Sequence, residues 1–437
     1  MAALTLLVLG LILPGCYDAA FLKADRSLTL WRTMKSEATP PKAVAPTDKA
    51  LTLDEALARA MAENPRLRSL RAQIPVGEAR IEVASDWTNP QFRLSEVALN
   101  DMIDGEPTME FALRFRFERP GTLGAQAHAA ELEVQGLRAR IERDEERVKR
   151  ALERSFLRHS ILAQKLLEVD KEIQFRLAHV ALVKERLAAG VGVELDLALA
   201  TLPHGRALDA RETLKARQGD VVEEIRALIG AAPSETLRPL VSAPQLTERE
   251  VEPSEEEMIE LAMGQRPELR QAAARLGRAT ARAHIARAER WPWPRFAQIN
   301  YELRHPLEPV RFGFAVGVDL PVFNSGGDRV AMREAQVNRM RIQEEDLIRE
   351  IARQVARAHR QVQRRRARLA GLKAHLLPAA EHSGAALKRA LDAGAGDPLR
   401  TTLVEGRRVR ARRAYLDALA DYHEALINLD AAAGIRR

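Results

Sequence analysis

The stretch ENPRLRSLRAQ, residues 63–73, returns in paraphrase as QRPELRQAAAR at residues 265–275. Asn64-Pro65-Arg66-Leu67 answers Arg266-Pro267-Glu268-Leu269, and further landmarks recur at the same displacement of roughly 200 positions. Trp87 and Pro90 match Trp291 and Pro294, Pro120 matches Pro321, Gly190 matches Gly394, and Gly230 matches Gly434. The shared residues are Pro, Trp and Gly, which chance likeness between alanine-rich helices would not supply. A duplication of this length constrains the fold tightly, because the elements of the first half must recur in order in the second. Its period is far longer than that of a solenoid unit, so each half is a complete set of elements.

Each half opens with a helix. In the first, TLDE at residues 52–55 starts it, with Thr52 or Asp54 as cap, and it runs to about Asp86 with an interruption at Pro65. Two alternating stretches follow in each half. Over 90–99, Phe92 and Leu94 alternate with Arg93 and Ser95; over 108–118, Phe111, Leu113, Phe115 and Phe117 alternate with Ala112, Arg114 and Arg116. In the second half, Ile299, Tyr301 and Leu303 alternate with Gln298, Asn300 and Glu302 over 295–304. Phe312, Phe314, Val316, Val318 and Leu320 alternate with Gly313, Ala315, Gly317 and Asp319 over 311–320. A period of two predicts strands, and about ten residues is the length of a tilted transmembrane strand. Arg114, Arg116, Gln298, Asn300 and Glu302 then belong on a polar face, turned to a water-filled lumen if the strands cross a membrane; an edge strand of a soluble sheet is the alternative, since alternation alone does not identify the solvent.

A long helix follows each strand pair, over about 122–187 and 327–392. Val134, Leu137, Ile141, Val148, Leu152, Leu162, Leu166, Val169, Ile173, Leu177, Val180 and Leu187 keep close to a 3.5-residue rhythm. Ile348, Ile351, Val355, Ala358, Val362, Leu369, Leu372 and Leu376 do the same in the second copy. That is coiled-coil spacing. At ~1.5 Å per residue the first rod reaches roughly 100 Å, a length of no use to a globular domain. Gly190 and Gly192, and again Gly394 and Gly396, mark tight reversals that call for positive φ. Return helices then run over about 194–230 and 398–433. The repeats so delimited are 51–240 and 253–437, joined by a linker at 241–252.

Ahead of the first repeat, LTLLVLGLIL at residues 4–13 has the length of a signal-peptide core, and LPGC at 13–16 follows it. This tetrapeptide looks like a bacterial lipobox, with Cys16 as the lipidated first residue of the mature chain after removal of 1–15. Residues 16–50 then form the lipidated N-terminus and a flexible linker, Pro- and Ala-rich over 36–50. Cys16 is the only cysteine, so no disulfide framework forms within the chain.

The 68 basic and 61 acidic residues are interspersed, as on solvated helix faces, and no groove-reading motif accompanies them. Nucleic acid is therefore not an expected partner. No Ser-His-Asp, paired-carboxylate, P-loop or zinc spacing stands out, so no enzyme, cofactor or resident metal is expected.

Four membrane-type strands cannot close a barrel, since their edges would leave backbone groups unpaired in lipid at several kcal/mol each. Barrels begin at about eight strands, so copies of the chain must share one. Here the sequence resembles a family, the TolC-like outer membrane efflux proteins, over essentially all of residues 50–437. The resemblance rests on the NPRL and RPEL helices, the strand pairs ending at Pro120 and at LPVFNSGG (320–327), GVELDLALA (192–200), and LLPAAE (376–381). NPQF and FERPGTLGAQ are similar to the heavy-metal, Czc-type branch. The resemblance implies a mainly α fold with a small β part, made of duplicated coiled-coil hairpins and four transmembrane strands per chain. It implies a homotrimer with a twelve-stranded outer-membrane barrel and an α-helical periplasmic tunnel. It also implies a tripartite efflux or type I secretion-like role, docking to a periplasmic adaptor and an inner-membrane pump. The family closes its tunnel with acidic rings at the helical tips, which points to Glu194, Asp196, Asp397 and Arg400 as the constriction. Arg400 stands where the family's second aspartate is expected, and could pair with Asp196 or Glu194 of a neighbouring helix. Solvated tip charge or helix capping is the alternative for these residues. The glycine turns 190, 192, 394 and 396 are the implied docking points. The rival for the whole chain is a lipid-anchored periplasmic adaptor or coiled-coil scaffold.

Overall fold

The computed structural model describes residues 50–97, 108–232, 235–240, 253–303, 311–320, 322–393 and 397–435, with Ser27, Thr29, Arg32 and Thr33. The expected signal peptide, Cys16, most of the linker 16–50, the linker 241–252, Pro321, Gly394 and Gly396 lie outside these residues.

The opening helix of the first repeat is three helices: α1 (Leu53–Glu63), α2 (Pro65–Arg71) and α3 (Gln73–Ser85). Thr52 caps α1 in a reciprocal box. Its hydroxyl accepts the Glu55 N–H at 3.2 Å, and the Glu55 carboxylate accepts the Thr52 N–H at 3.0 Å. Pro65 begins α2 at the first helical position, where its missing N–H costs nothing. Asn64 caps that start through Oδ1, which accepts from Arg66 at 3.0 Å and Leu67 at 3.1 Å.

Strands β1 (Gln91–Val97) and β2 (Thr108–Arg116) lead into α4 (Thr122–Ala188), and α5 (Glu194–Ile229) returns. The second repeat runs α6 (Glu255–Gln265), α7 (Pro267–Ala288), β3 (Trp293–Leu303), β4 (Arg311–Asp319) and α8 (Gly327–Gly371). A π-helical turn at Leu372–Leu376 connects α8 to α9 (Leu377–Asp392), and α10 (Pro398–Ala433) returns. The expected single rod over 327–392 is thus widened once, immediately before Pro378. That proline has no N–H to give to the ladder, and an extra residue in a π turn absorbs the lost bond.

Both repeats close the same way. Gly230 has φ +70° and Gly434 φ +72°, each ending a return helix with paired bonds from the glycine and its successor back to the preceding turn. A Cβ on Gly230 would stand 2.7 Å from the Glu63 carbonyl oxygen, and one on Gly434 would stand 3.2 Å from Arg266 Cγ. Each return helix therefore ends against the proline-started helix of its own repeat. Asn64 Nδ2 adds a bond to the Leu228 carbonyl at 2.8 Å. Ala60, Leu67, Leu152, Ile225 and Ile229 fill this junction in the first repeat; Met258, Ala262, Val355, Tyr422 and Leu429 fill it in the second. Along the rods, Val134, Ile141, Val148, Val169 and Val180 are buried, but Leu177, Ile348 and Leu376 of the expected seam are exposed.

Candidate barrel wall and tunnel tip

The four strands form one antiparallel sheet in the order β1-β2-β3-β4, with β1 and β4 at its edges. The ladder sets Phe92 opposite Leu113, Leu94 opposite Phe111, Phe111 opposite Tyr301, and Ile299 opposite Phe314. Directly opposed residues share a face, so one face is apolar from edge to edge. On it Phe312 is 75% exposed, Phe314 72% and Phe92 68%. The other face is polar and the more covered of the two: Gln298 is 8% exposed and Ala112 2%. A sheet in water buries its apolar face; this one is inverted, as a barrel wall in lipid must be.

The residues expected on the lumen side share the polar face. Arg114 is opposite Gln298 and donates from Nε to its Oε1 at 2.6 Å. Gln298 Nε2 in turn donates to Asn300 Oδ1 at 2.5 Å. Arg116 reaches Gln91 Oε1 at 3.4 Å. Glu302 pairs with Glu110 in the ladder. The alternation that marked Gln298 also carries Phe296 to this face, which went unmarked. The Arg114 guanidinium lies 4.3 Å from the centre of the Phe296 ring, a cation–π distance. The ring covers Gly317, where any Cβ would collide with it. Arg93, opposite Ala112, is a third arginine on the same face.

At the far end of the first hairpin, Gly190 has φ +75° and donates to the Leu187 carbonyl at 3.0 Å. Val191 donates to the Arg186 carbonyl at 3.0 Å, which completes a Schellman closure. This closure needs one left-handed residue, so Gly192, expected to share the positive φ, does not adopt it. Asp196 takes a local role: its Oδ2 accepts the Val193 N–H at 3.3 Å at the start of α5. Glu194 is exposed in the same first turn, where acidic side chains suit the helix dipole. On the second hairpin the Asp397 carbonyl accepts the Thr401 N–H at 2.9 Å, and Arg400 lies 3.7 Å from the Asp397 carboxylate. Within the chain, then, Arg400 faces its own helix rather than Asp196 or Glu194. Val191, Val193, Leu195 and Leu202 leave the first tip apolar and exposed.

The described residues thus combine an inverted antiparallel sheet with two long helical hairpins. Residues 258–435, nearly all of the second repeat, match the family model for the outer membrane efflux protein. The first repeat, outside that match, has the same order of elements. No curated protein matches its sequence. Among solved structures it is similar to the outer membrane protein VceC from Vibrio cholerae, at 17% identity and TM-score 0.71 over 87% of this chain and 96% of that one. It is similar to the Campylobacter jejuni CmeC outer membrane channel at 12% identity and TM-score 0.71, over 91% of each chain. It is also similar to the open state of the Neisseria gonorrhoeae MtrE outer membrane channel, at 14% identity and TM-score 0.70 over 87% of this chain and 88% of that one. At these identities the likeness is one of fold.

Proposed function

We propose that three copies of this chain close a twelve-stranded barrel in the outer membrane, continued by their hairpins as a periplasmic tunnel. The assembly is the passive outer-membrane conduit of a tripartite efflux or type I secretion-like system, and it carries out no covalent chemistry. The inverted sheet carries this reading: an exposed apolar face, a covered polar face, and edges at β1 and β4 that need partners. Two copies would supply about eight strands and little lumen, whereas three supply about twelve and an open pore. An adaptor or scaffold has no use for an inverted sheet.

The tips close the tunnel through Glu194 and Asp196, with Asp397 and Arg400 on the second hairpin. Carboxylates repeated around a threefold axis attract cations and bind divalent ions. The turns at Gly190, Gly192, Gly394 and Gly396 meet a periplasmic adaptor, and through it an inner-membrane pump. The exposed Val191, Val193 and Leu195 beside the first turn support such a contact. Cys16 carries lipid that tethers the chain to the outer membrane.

Single-channel recording in planar bilayers tests the gate. Glu194→Ala combined with Asp196→Ala raises leak conductance and weakens block by divalent cations; unchanged conductance and block remove both residues from the constriction. Palmitate labelling tests the anchor: Cys16→Ser abolishes it, and label that persists in the variant refutes lipidation.

A further inference from the structure

The charges on the polar face of the sheet are unevenly distributed. Arg93 of β1 and Arg114 and Arg116 of β2 stand on neighbouring strands, at the end of the sheet that joins the helices. Their counterparts across β3 and β4 are Phe296, Gln298, Asn300, Gly313, Ala315 and Gly317, none of them charged. Among the described residues, no carboxylate lies within ion-pair distance of Arg93, Arg114 or Arg116; the partners they have are Gln298, Gln91 and the Phe296 ring. Elsewhere in the chain arginines are paired freely, as at Arg59–Glu235, Arg71–Glu145 and Arg287–Glu334. The described acids on this face lie outside these rows and have partners of their own: Asp319, at the end of β4, takes the Arg295 guanidinium at 3.2 Å, and Glu110, toward the opposite end of β2, takes a bond from Ser95 at 3.3 Å.

Arg114 is held in place. Gln298 fixes its Nε, and the Phe296 ring supports the plane of its guanidinium. The ring can lie flat there because position 317 is glycine. Arg116 and Arg93 are exposed.

We propose that Arg93, Arg114 and Arg116 form a basic girdle inside the barrel, at its junction with the tunnel, that favours anionic solutes over cations. The inference rests on the conduit reading above. Rings of arginine or lysine select anions where a pore narrows, and low-dielectric walls focus their field. Copies of the chain around one axis would repeat the girdle, so unpaired charge accumulates in one layer of the lumen. The girdle lowers the local concentration of free metal cations, and it fits cargo that crosses as an anion or an anionic complex.

Reversal potentials in a tenfold potassium chloride gradient test the proposal, with full-length protein reconstituted in planar bilayers. The triple variant Arg93→Gln, Arg114→Gln, Arg116→Gln lowers the chloride-to-potassium permeability ratio at least about threefold. Inorganic tripolyphosphate added on the barrel side blocks the parent more strongly than the variant. Arg158→Gln, partway along α4 and paired with Glu224, moves neither quantity. If the triple variant fails to assemble, Arg116→Gln alone, at an exposed side chain, gives the same shift at smaller size. A ratio and a block both unchanged in a conducting variant overturn the girdle and leave the conduit standing. A parent protein that does not conduct overturns both.

Discussion

The Glu172 carboxylate stands 2.9 Å from the guanidinium of Arg413, tying α4 of the first repeat to α10 of the second. Glu172 also accepts from Arg176 Nε at 2.8 Å, and both of these side chains are buried. One turn away Glu168 pairs with Arg412 at 2.7 Å. The two hairpins therefore meet, partway to the tips, through charges rather than through leucine.

Removing one partner from this group leaves a buried charge behind. Glu172→Ala strands Arg176 and costs about 3–5 kcal/mol. Glu224→Ala, which breaks the exposed Arg158–Glu224 pair at 3.2 Å, costs about 0–1 kcal/mol. Thermal unfolding of the two variants side by side separates these outcomes.

The inverted sheet makes opposite forecasts for adjacent residues of β4. Phe314→Lys puts a charge on the lipid face and costs about 2–4 kcal/mol near the bilayer centre. Ala315→Lys points to the polar face and assembles. Outer-membrane fractionation with heat-modified gel mobility reads both; equal tolerance of the two lysines would contradict the assignment of faces.

The glycine turns differ in their surroundings. Gly190→Ala meets nothing within 4 Å and bears only the left-handed strain, about 1 kcal/mol. Gly230→Ala bears that strain and also drives a methyl against the Glu63 carbonyl, so it loses more. Melting curves should rank Gly230→Ala below Gly190→Ala.

Burial raises the Glu153 carboxyl above its usual range; Arg150 opposes the shift, and Asp430 of α10 reinforces it. A carboxyl raised on folding binds its proton more tightly in the folded state. Its contribution to stability is full below the unfolded value, near 4.5, and is lost as pH rises through the folded value. Glu153→Gln therefore raises the melting temperature above the parent's at pH 7–8 and matches the parent's near pH 4. A constant offset across this range would exclude titration as the cause.

The strands are legible in the sequence because a sheet with one apolar and one polar face writes a period of two into the chain. The same alternation carries Phe296 to the polar face, although an aromatic residue reads by itself as belonging to the apolar one. Heptad counting along the rods marks Leu177, Ile348 and Leu376 for the seam, yet they are exposed within the chain. A single periodicity describes one packing seam, whereas a hairpin in a wall has several neighbours. Pro120 and Pro321 align the strand-to-helix junctions in sequence, but the matching conformations belong to Gly121 at φ +78° and Gly326 at φ +71°. The Glu172–Arg413 contact joins residues far apart in the chain, and no local pattern announces it. The tip residues are legible as charge, while their local work, Asp196 capping α5, depends on the backbone geometry of the turn.

The most direct measurement is the mass and conductance of the detergent-extracted full-length protein, taken on one preparation by light scattering and planar-bilayer recording. The account predicts a particle of three chains that inserts and conducts ions. A water-soluble single chain that never conducts would contradict it.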